Sequence, residues 1–340
     1  MSTSEVTKEG VRGQRPDREA VTGSAATHRR GRGRGGDRPV VPRAEFRSYY
    51  GRPILNQIPW SARDIGGYLF LGGLAGASSV LAGGAELTGR PALARAMKVT
   101  ALGAVSGSVA ALIHDLGRPE RFLNMLRVVK PTSPMSVGSW LLATYGPMAG
   151  AAAACDVTGR LRPVGRAATV GAGVVGPAVA AYTAPLVCDT AVPAWHDGYR
   201  EMPFVFVGSG AAAAAGMGMI AAPVRQAAPA RRAAVLGAGL EVAAAERMRA
   251  RMGMLAEPYE RGRGGRLLRA ATALSLGGAA AGALVGQRSR AVAAVAGVAL
   301  LAGSACTRFA IFQAGVDSAR DPTYTVVPQR QRLEVGAAEQ

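Results

Sequence analysis

The sequence predicts an all-α integral membrane protein with about eight transmembrane helices, arranged in two four-helix bundles, and a disordered basic N-terminal tail. From Gly66 onward, apolar stretches of roughly 20 residues recur, each long enough to cross a hydrocarbon core of about 30 Å. These stretches are rich in Ala and Gly, which favours close packing between helices. Before them, the chain is rich in Arg, Gly and Pro, and the 340 residues carry a net charge of +18.

The tail, residues 1–48, is predicted to lack a folded core. Its segment GRGRGGDRP (31–39) cannot bury enough apolar surface to offset the entropy lost on folding. Arg/Gly-rich segments can bind RNA, but no aromatic residue precedes Phe46, so base stacking has no support and no nucleic-acid partner is expected. Contact with anionic membrane lipid is the favoured interpretation.

Hydropathy places the spans, in chain order, near 66–88, 93–114, 137–156, 167–188, 203–223, 231–250, 267–286 and 291–313. An even number of spans puts both termini on one side of the membrane, which we call side A. The basic tail favours the cytoplasm as that side. We therefore expect a multi-pass protein of the inner cell membrane.

Following the spans alternately brings polar residues from distant stretches to side A. Tyr68 lies near the start of the first span, His114 and Asp115 end the second, and Tyr182 lies in the last turns of the fourth. Hydroxyl, imidazole and carboxylate groups suit a quinone head group, because its carbonyls need hydrogen-bond donors and its redox chemistry exchanges protons. The loops of the opposite side hold Arg but almost no acidic or aromatic residues.

Simpler interpretations remain open for several of these residues. Tyr68, Trp60 and Trp195 can be aromatic anchors at the membrane interface. His114 and His196 can also lie there. Asp115 is three residues from Arg118, a spacing that also suits a structural ion pair.

Glu241 stands apart because it lies near the middle of the sixth span. A buried acid there is either paired structurally or part of a proton path, so Glu241 and Asp115 are the proton-transfer candidates.

Resident metal cofactors are not expected. Cys155, Cys188 and Cys306 are far apart, with no spacing typical of an iron–sulfur cluster or a zinc site. A haem held between transmembrane helices usually needs paired His ligands, and the chain has only three His.

Three segments carry a resemblance to a known family. They are YLFLGGLAGASS (68–79), HDLGRPERFLNMLRVVKPTSPMSVGSWLL (114–142) and YTAPLVCDTAVPAWH (182–196). The chain resembles the NrfD/PsrC family, the membrane subunits of polysulfide-reductase-type molybdoenzymes. The resemblance covers residues 49–315 and leaves 316–340 as a C-terminal tail.

The resemblance implies a quinone-reactive membrane anchor that is not catalytic alone and holds no permanent cofactor. Menaquinone or ubiquinone would be an exchangeable substrate. The expected partners are a four-cluster ferredoxin-like iron–sulfur subunit and a molybdopterin catalytic subunit, of the formate dehydrogenase or polysulfide reductase type. Tyr68, Asp115 and Tyr182 match family positions near the quinone, and some relatives have His where this chain has Tyr68.

The loop 116–136 is expected to form part of the docking surface for the iron–sulfur partner. Its cations would suit an acidic protein; they are Arg118, Arg121, Arg127 and Lys130. A rigid connector is the simpler interpretation, since prolines stiffen this loop.

Two other functions compete with the quinone interpretation. A multi-span transporter or channel would favour a site at mid-membrane and repeated halves, yet only Glu241 is expected there and no repeat is evident. A purely structural anchor would not need the polar cluster on side A.

Overall fold

The computed structural model describes residues 4–7, 10–15, 18–21, 54–118 and 120–338. The chain divides into two compact units, Met1–Glu45 and Phe46–Gln340. In the first unit, strands β1 (Ser4–Thr7), β2 (Gly10–Arg15) and β3 (Arg18–Val21) form an antiparallel sheet in that order.

These strands were not predicted, because the Arg-rich composition outweighed a local signal. The β-branched residues Val6, Val11 and Val21 favour extended backbone, and Val6 is paired directly with Val11. The segment 31–39, on which the prediction of disorder rested, lies outside the described residues.

The second unit is α-helical over most of its described length and also has short 3₁₀ turns at Asp197–Arg200 and Gly253–Ala256. Its helices are α1 (Ala62–Leu87), α2 (Pro91–Asp115), α3 (Glu120–Met125), α4 (Pro134–Thr158), α5 (Arg162–Cys188), α6 (Pro193–His196), α7 (Met202–Ala221), α8 (Ala228–Met252), α9 (Glu257–Glu260), α10 (Gly262–Leu284), α11 (Arg290–Arg320) and α12 (Thr323–Ala338).

Six of these helices are long and apolar enough to cross a membrane: α1, α2, α5, α7, α10 and α11. Helices α4 and α8 lie where the third and sixth spans were predicted and have 25 residues each, but they do not reach the hydropathy of the other six. Polar residues in α4 and charges towards both ends of α8 account for the difference. A multi-pass, helical membrane protein is therefore confirmed, while eight spans and two bundles stay predictions.

Helix α1 is central to the packing, since it contacts α2, α5, α7 and α11. Its crossing with α5 is made by two glycines: a Cβ on Gly76 would lie 2.3 Å from the backbone oxygen of Gly176. Because such a separation excludes any side chain, the two backbones come closer than residues with a Cβ would permit. This close approach sets how side chains further along α1 and α5 meet.

Candidate functional site

Tyr68 of α1 and Tyr182 of α5 form a buried pair, and their hydroxyl groups are hydrogen-bonded to each other. Their exposed fractions are 2% and 8%. Tyr68 follows the start of α1 by six residues and Tyr182 precedes the end of α5 by six. At a rise of about 1.5 Å per residue, both lie about 9 Å inside the side-A ends of their helices.

The neighbours of the pair are small or polar. A Cβ on Gly138 of α4 would lie 2.4 Å from a ring carbon of Tyr182, so only glycine permits this ring position. Ser108 of α2 donates a hydrogen bond of 3.1 Å to the backbone oxygen of Tyr68. Four helices, α1, α2, α4 and α5, thus fix the two phenols.

A hydrogen-bonded pair of phenol hydroxyls uses only one of its two O–H protons, so the other can be donated to a third group. Each phenol has one O–H donor, and in the pair one hydroxyl donates while the other accepts. The accepting phenol therefore still has a proton that it can donate to a third group, such as a carbonyl oxygen. Chemically, the pair can bind a neutral acceptor and relay a proton to or from it.

Asp115 and His114 lie at the same end of the bundle but have other partners. The backbone N–H of Ser61 donates a hydrogen bond of 3.1 Å to Asp115 Oδ1, which ties the start of α1 to the end of α2. The Nδ1 atom of His114 lies 3.1 Å from Asp64 Oδ2, and the His114 side chain is 79% exposed. The structure brings Tyr68 and Tyr182 together, whereas His114 faces outward at the membrane edge.

The loop that follows α2 presents both cations and apolar side chains. Helix α3 within it has no buried residue. The four cations predicted for docking are all exposed: Arg118, Arg121, Arg127 and Lys130. Large apolar side chains beside them are exposed too, among them Leu123 (67%), Val128 (65%) and Val129 (66%). An ordered surface of this mixed kind is typical of protein interfaces.

The loop is held in place by hydrogen bonds to the start of α4. The Ser136 hydroxyl donates to the backbone oxygen of Val128 at 3.0 Å and accepts from the backbone N–H of Lys130 at 3.0 Å. Trp140 Nε1 also donates to Val128, at 3.3 Å. The loop is therefore both a braced connector and an exposed surface.

Part of the chain is similar to a known family. Residues 54–154 match the family model described as polysulphide reductase, NrfD. This match, over less than a third of the 340 residues, is consistent with an NrfD/PsrC-type membrane subunit, and we call residues 54–154 the NrfD segment. The match contains Tyr68, His114, Asp115 and the whole loop with its four cations, while Tyr182 and Glu241 lie beyond it. No curated protein matches the chain.

The loop that follows α5 packs on side A against the start of the NrfD segment. Trp195 is 1% exposed, stacks on Trp60 at 5.8 Å and donates from Nε1 to the backbone oxygen of Ile311 at 2.7 Å. Its interpretation as a membrane-interface anchor is wrong, because the indole N–H is satisfied inside the protein. His196, in contrast, is exposed at the surface.

A network of charged side chains on side A joins this loop to α8. Arg251 Nε donates to both oxygens of Glu201, at 3.0 and 3.1 Å, and Arg251 also pairs with Asp197. The hydrogen bonds from Arg251 hold the pKa of the Glu201 carboxyl below its usual value. This network is structural, since it fixes the loop against the end of α8.

Glu241 lies in a buried polar network between α8, α10 and α11. Its carboxylate accepts hydrogen bonds from Ser275, at 3.0 Å, and from Thr307. Arg308, next along α11, is fully buried. Its guanidinium donates to the backbone oxygen of Phe206 at 2.7 Å and lies 3.8 Å from the Phe206 ring centroid.

Arg308 was missed by sequence reasoning, although an arginine inside the apolar stretch 291–313 was a usable signal. Its Nε and Nη1 atoms have no hydrogen-bond partner among the described residues. Gly73 of α1 makes room for it, since a Cβ there would lie 3.0 Å from Nη2. The bundle interior therefore contains a buried cation together with the buried acid Glu241.

Lys98 of α2 is a second buried cation that sequence reasoning missed. It is 6% exposed, and its Nζ lies 2.7 Å from Glu86 Oε2 and 3.1 Å from Asp156 Oδ1. The two ion pairs of Lys98 join α1, α2 and α4 at the end opposite side A. Among the described residues, no group of three or more His, Cys, Asp or Glu side chains could hold a metal ion.

Proposed function

We propose that this chain is the quinone-reactive membrane subunit of a polysulfide-reductase-type oxidoreductase. The observation that carries the proposal is the buried hydroxyl pair of Tyr68 and Tyr182 on side A, beside an NrfD segment. One phenol donates to a quinone carbonyl, and the pair passes on the protons that accompany the two electrons. Menaquinone or ubiquinone is the exchangeable substrate.

Asp115 contributes from the rim of this site. Its bond to Ser61 fixes the helix ends around the entrance, and its partly exposed carboxylate is placed to exchange protons with the solvent. His114, with its exposed ring, completes the quinone-binding set further out. Tyr68 and Tyr182 would donate to the quinone, while Asp115 is the proton-transfer candidate.

Removing the hydroxyl of Tyr182 is expected to slow quinone-linked electron transfer about tenfold, the equivalent of one hydrogen bond of roughly 1.4 kcal/mol. Tyr182→Phe and Tyr68→Phe would be measured in the assembled complex with a short-chain quinol. Activity of the catalytic subunit with an artificial dye should remain unchanged, because the dye bypasses the membrane subunit.

Tyr145→Phe is the matched control, because Tyr145 is also a buried tyrosine of this bundle. Its hydroxyl bonds to Ser79 and to the backbone oxygen of Ala75, both at 2.7 Å, and not to the pair. Unchanged quinone-linked rates in both Tyr182→Phe and Tyr68→Phe would refute the site. Equal losses in all three variants would mean that packing, not hydrogen bonding, was lost.

The loop 116–136 is the proposed docking surface for a four-cluster ferredoxin-like iron–sulfur subunit, which connects to a molybdopterin catalytic subunit. Its exposed cations and apolar side chains support this role. Electrons then pass between the partner's clusters and a quinone in the adjacent site.

Charge reversal of the loop tests the docking surface. Arg118→Glu with Arg121→Glu is expected to weaken retention of the iron–sulfur subunit about tenfold, since like charges would face an acidic partner. Co-purification at two salt concentrations measures the effect. Arg160→Glu with Arg225→Glu, which are exposed on the opposite side, is the matched control and should retain the partner.

The remaining features of the proposal concern the membrane. Helices α4 and α8 complete eight spans in two four-helix bundles of the inner cell membrane, with both termini on the cytoplasmic side. Glu241 is the proton-transfer candidate of the second bundle, supported by its burial and its hydroxyl partners. Glu241→Gln would then lower the number of protons moved per electron.

A further inference from the structure

A crevice on side A, distinct from the tyrosine pair, lies between α1, α10 and α11. Its volume is about 460 Å³. Two arginines line it, each the second residue of its helix: Arg63 in α1 and Arg263 in α10. The rest of the lining used here is Leu267, Cys306, Phe309 and Gln313.

The polarity of the crevice changes with depth. Gln313 of α11 lies near the side-A end, at the level of the two arginines. Phe309 and Cys306 lie four and seven residues deeper, or about 6 and 10 Å at the helical rise. Leu267 lies one turn below Arg263. A charged mouth thus leads into an apolar interior.

The two arginines are available to an anion. Both are exposed. Two carboxylates close to them have other partners: Asp64 is paired with His114, and Asp317, near Gly262 at the start of α10, accepts a hydrogen bond from Gln313. Arginine binds phosphate oxygens through its planar fork of N–H donors. Two such forks at one mouth favour a phospholipid of net negative charge over a zwitterionic one, because the arginines repel the cation that a zwitterionic head group adds to its phosphate.

The aromatic side chains in the wall of the crevice are closely packed against the helices. The ring of Phe309 rests on Gly66 of α1, where a Cβ would lie 2.6 Å from it. Phe312 behind it is 4% exposed. The apolar interior is therefore a formed surface between helices that are apolar enough to cross a membrane.

We propose that this crevice binds one acidic phospholipid. Its phosphate lies between Arg63 and Arg263, and an acyl chain runs along Leu267, Phe309 and Cys306. A bound lipid would join the start of α1, which carries the NrfD segment, to α10 and α11. The proposal does not depend on quinone chemistry.

Native mass spectrometry of the detergent-purified chain, titrated with phosphatidylglycerol and phosphatidylcholine, tests it. The wild type should retain phosphatidylglycerol at least about tenfold better than phosphatidylcholine, and Arg63→Gln with Arg263→Gln should remove that preference. Arg266→Gln with Arg320→Gln removes the same charge from exposed sites outside the crevice and should keep it. Equal retention of the two lipids by the wild type would overturn the proposal.

Labelling of Cys306 distinguishes a lipid from a free phosphate. In a Cys155→Ser background the only other thiol, Cys188, is buried, so a maleimide reports on Cys306. Phosphatidylglycerol should slow the labelling at least about threefold, whereas its soluble head group, glycerophosphoglycerol, should not. Equal protection by the head group would show a phosphate site without an acyl chain and overturn the lipid assignment. No protection by either would overturn it as well.

Discussion

Glu241→Gln is expected to lower the stability of the folded protein by about 1–3 kcal/mol, because Ser275 and Thr307 lose a charged acceptor and the buried cation Arg308 loses a nearby carboxylate. Glu241 and Arg308 are both buried, at 4% and 0% exposure, and Thr307, which donates to Glu241, directly precedes Arg308 in α11. Glutamine keeps the size of the side chain and its ability to accept from Thr307. Thermal unfolding in detergent, followed by intrinsic fluorescence, would show the loss.

A double-mutant cycle separates charge from packing. Arg308→Met combined with Glu241→Gln removes both charges and should recover most of the stability, since a neutral pair needs no compensation. Glu246→Gln on the same helix is the control; its carboxylate is 59% exposed, and its ion pair is worth at most about 1 kcal/mol. A Glu241→Gln protein as stable as the wild type would mean that the charge of Arg308 is balanced elsewhere.

The membrane-spanning pattern was predictable because it depends on local composition. Helices of the right length occupy every position at which a span was predicted, and six satisfy both length and hydropathy. Alternation of the spans was also sufficient to predict that Tyr68 and Tyr182 share one end of the molecule. It could not show that their hydroxyls touch, since that depends on the distance and rotation between α1 and α5.

The contacts that sequence reasoning missed are those between distant helices. Arg308 stands singly in its apolar stretch and Lys98 lies near the start of another, and the partners of both lie on other helices. Likewise, a place at the membrane interface was one interpretation of Trp195, since a Trp in a loop suits it. Its burial depends on Gly315 of α11, where a Cβ would overlap the indole ring at 2.0 Å. Such contacts follow from how helices cross, which composition does not determine.

The crossing of α1 and α5 makes the strongest prediction about the proposed quinone site. Gly76→Ala places a methyl group 2.3 Å from the backbone oxygen of Gly176, and backbone cannot turn aside as a side chain can. Overpacking of this kind costs about 1–3 kcal/mol, more than the 0.5–1 kcal/mol that alanine ordinarily gains over glycine in a helix. The variant should therefore unfold at a lower temperature.

Gly84→Ala on the same helix is the matched control, because its Cβ would meet nothing within 4 Å. At Gly84 only the helix-stabilising effect of alanine relative to glycine applies, so this variant should be as stable as the wild type or more so. The pair also tests the site: if Gly76 sets the spacing of α1 and α5, Gly76→Ala separates Tyr68 from Tyr182 and lowers quinone-linked turnover as Tyr182→Phe does. Lost stability with normal turnover would mean that the phenols act independently of this crossing, because their separation would then not matter to the quinone.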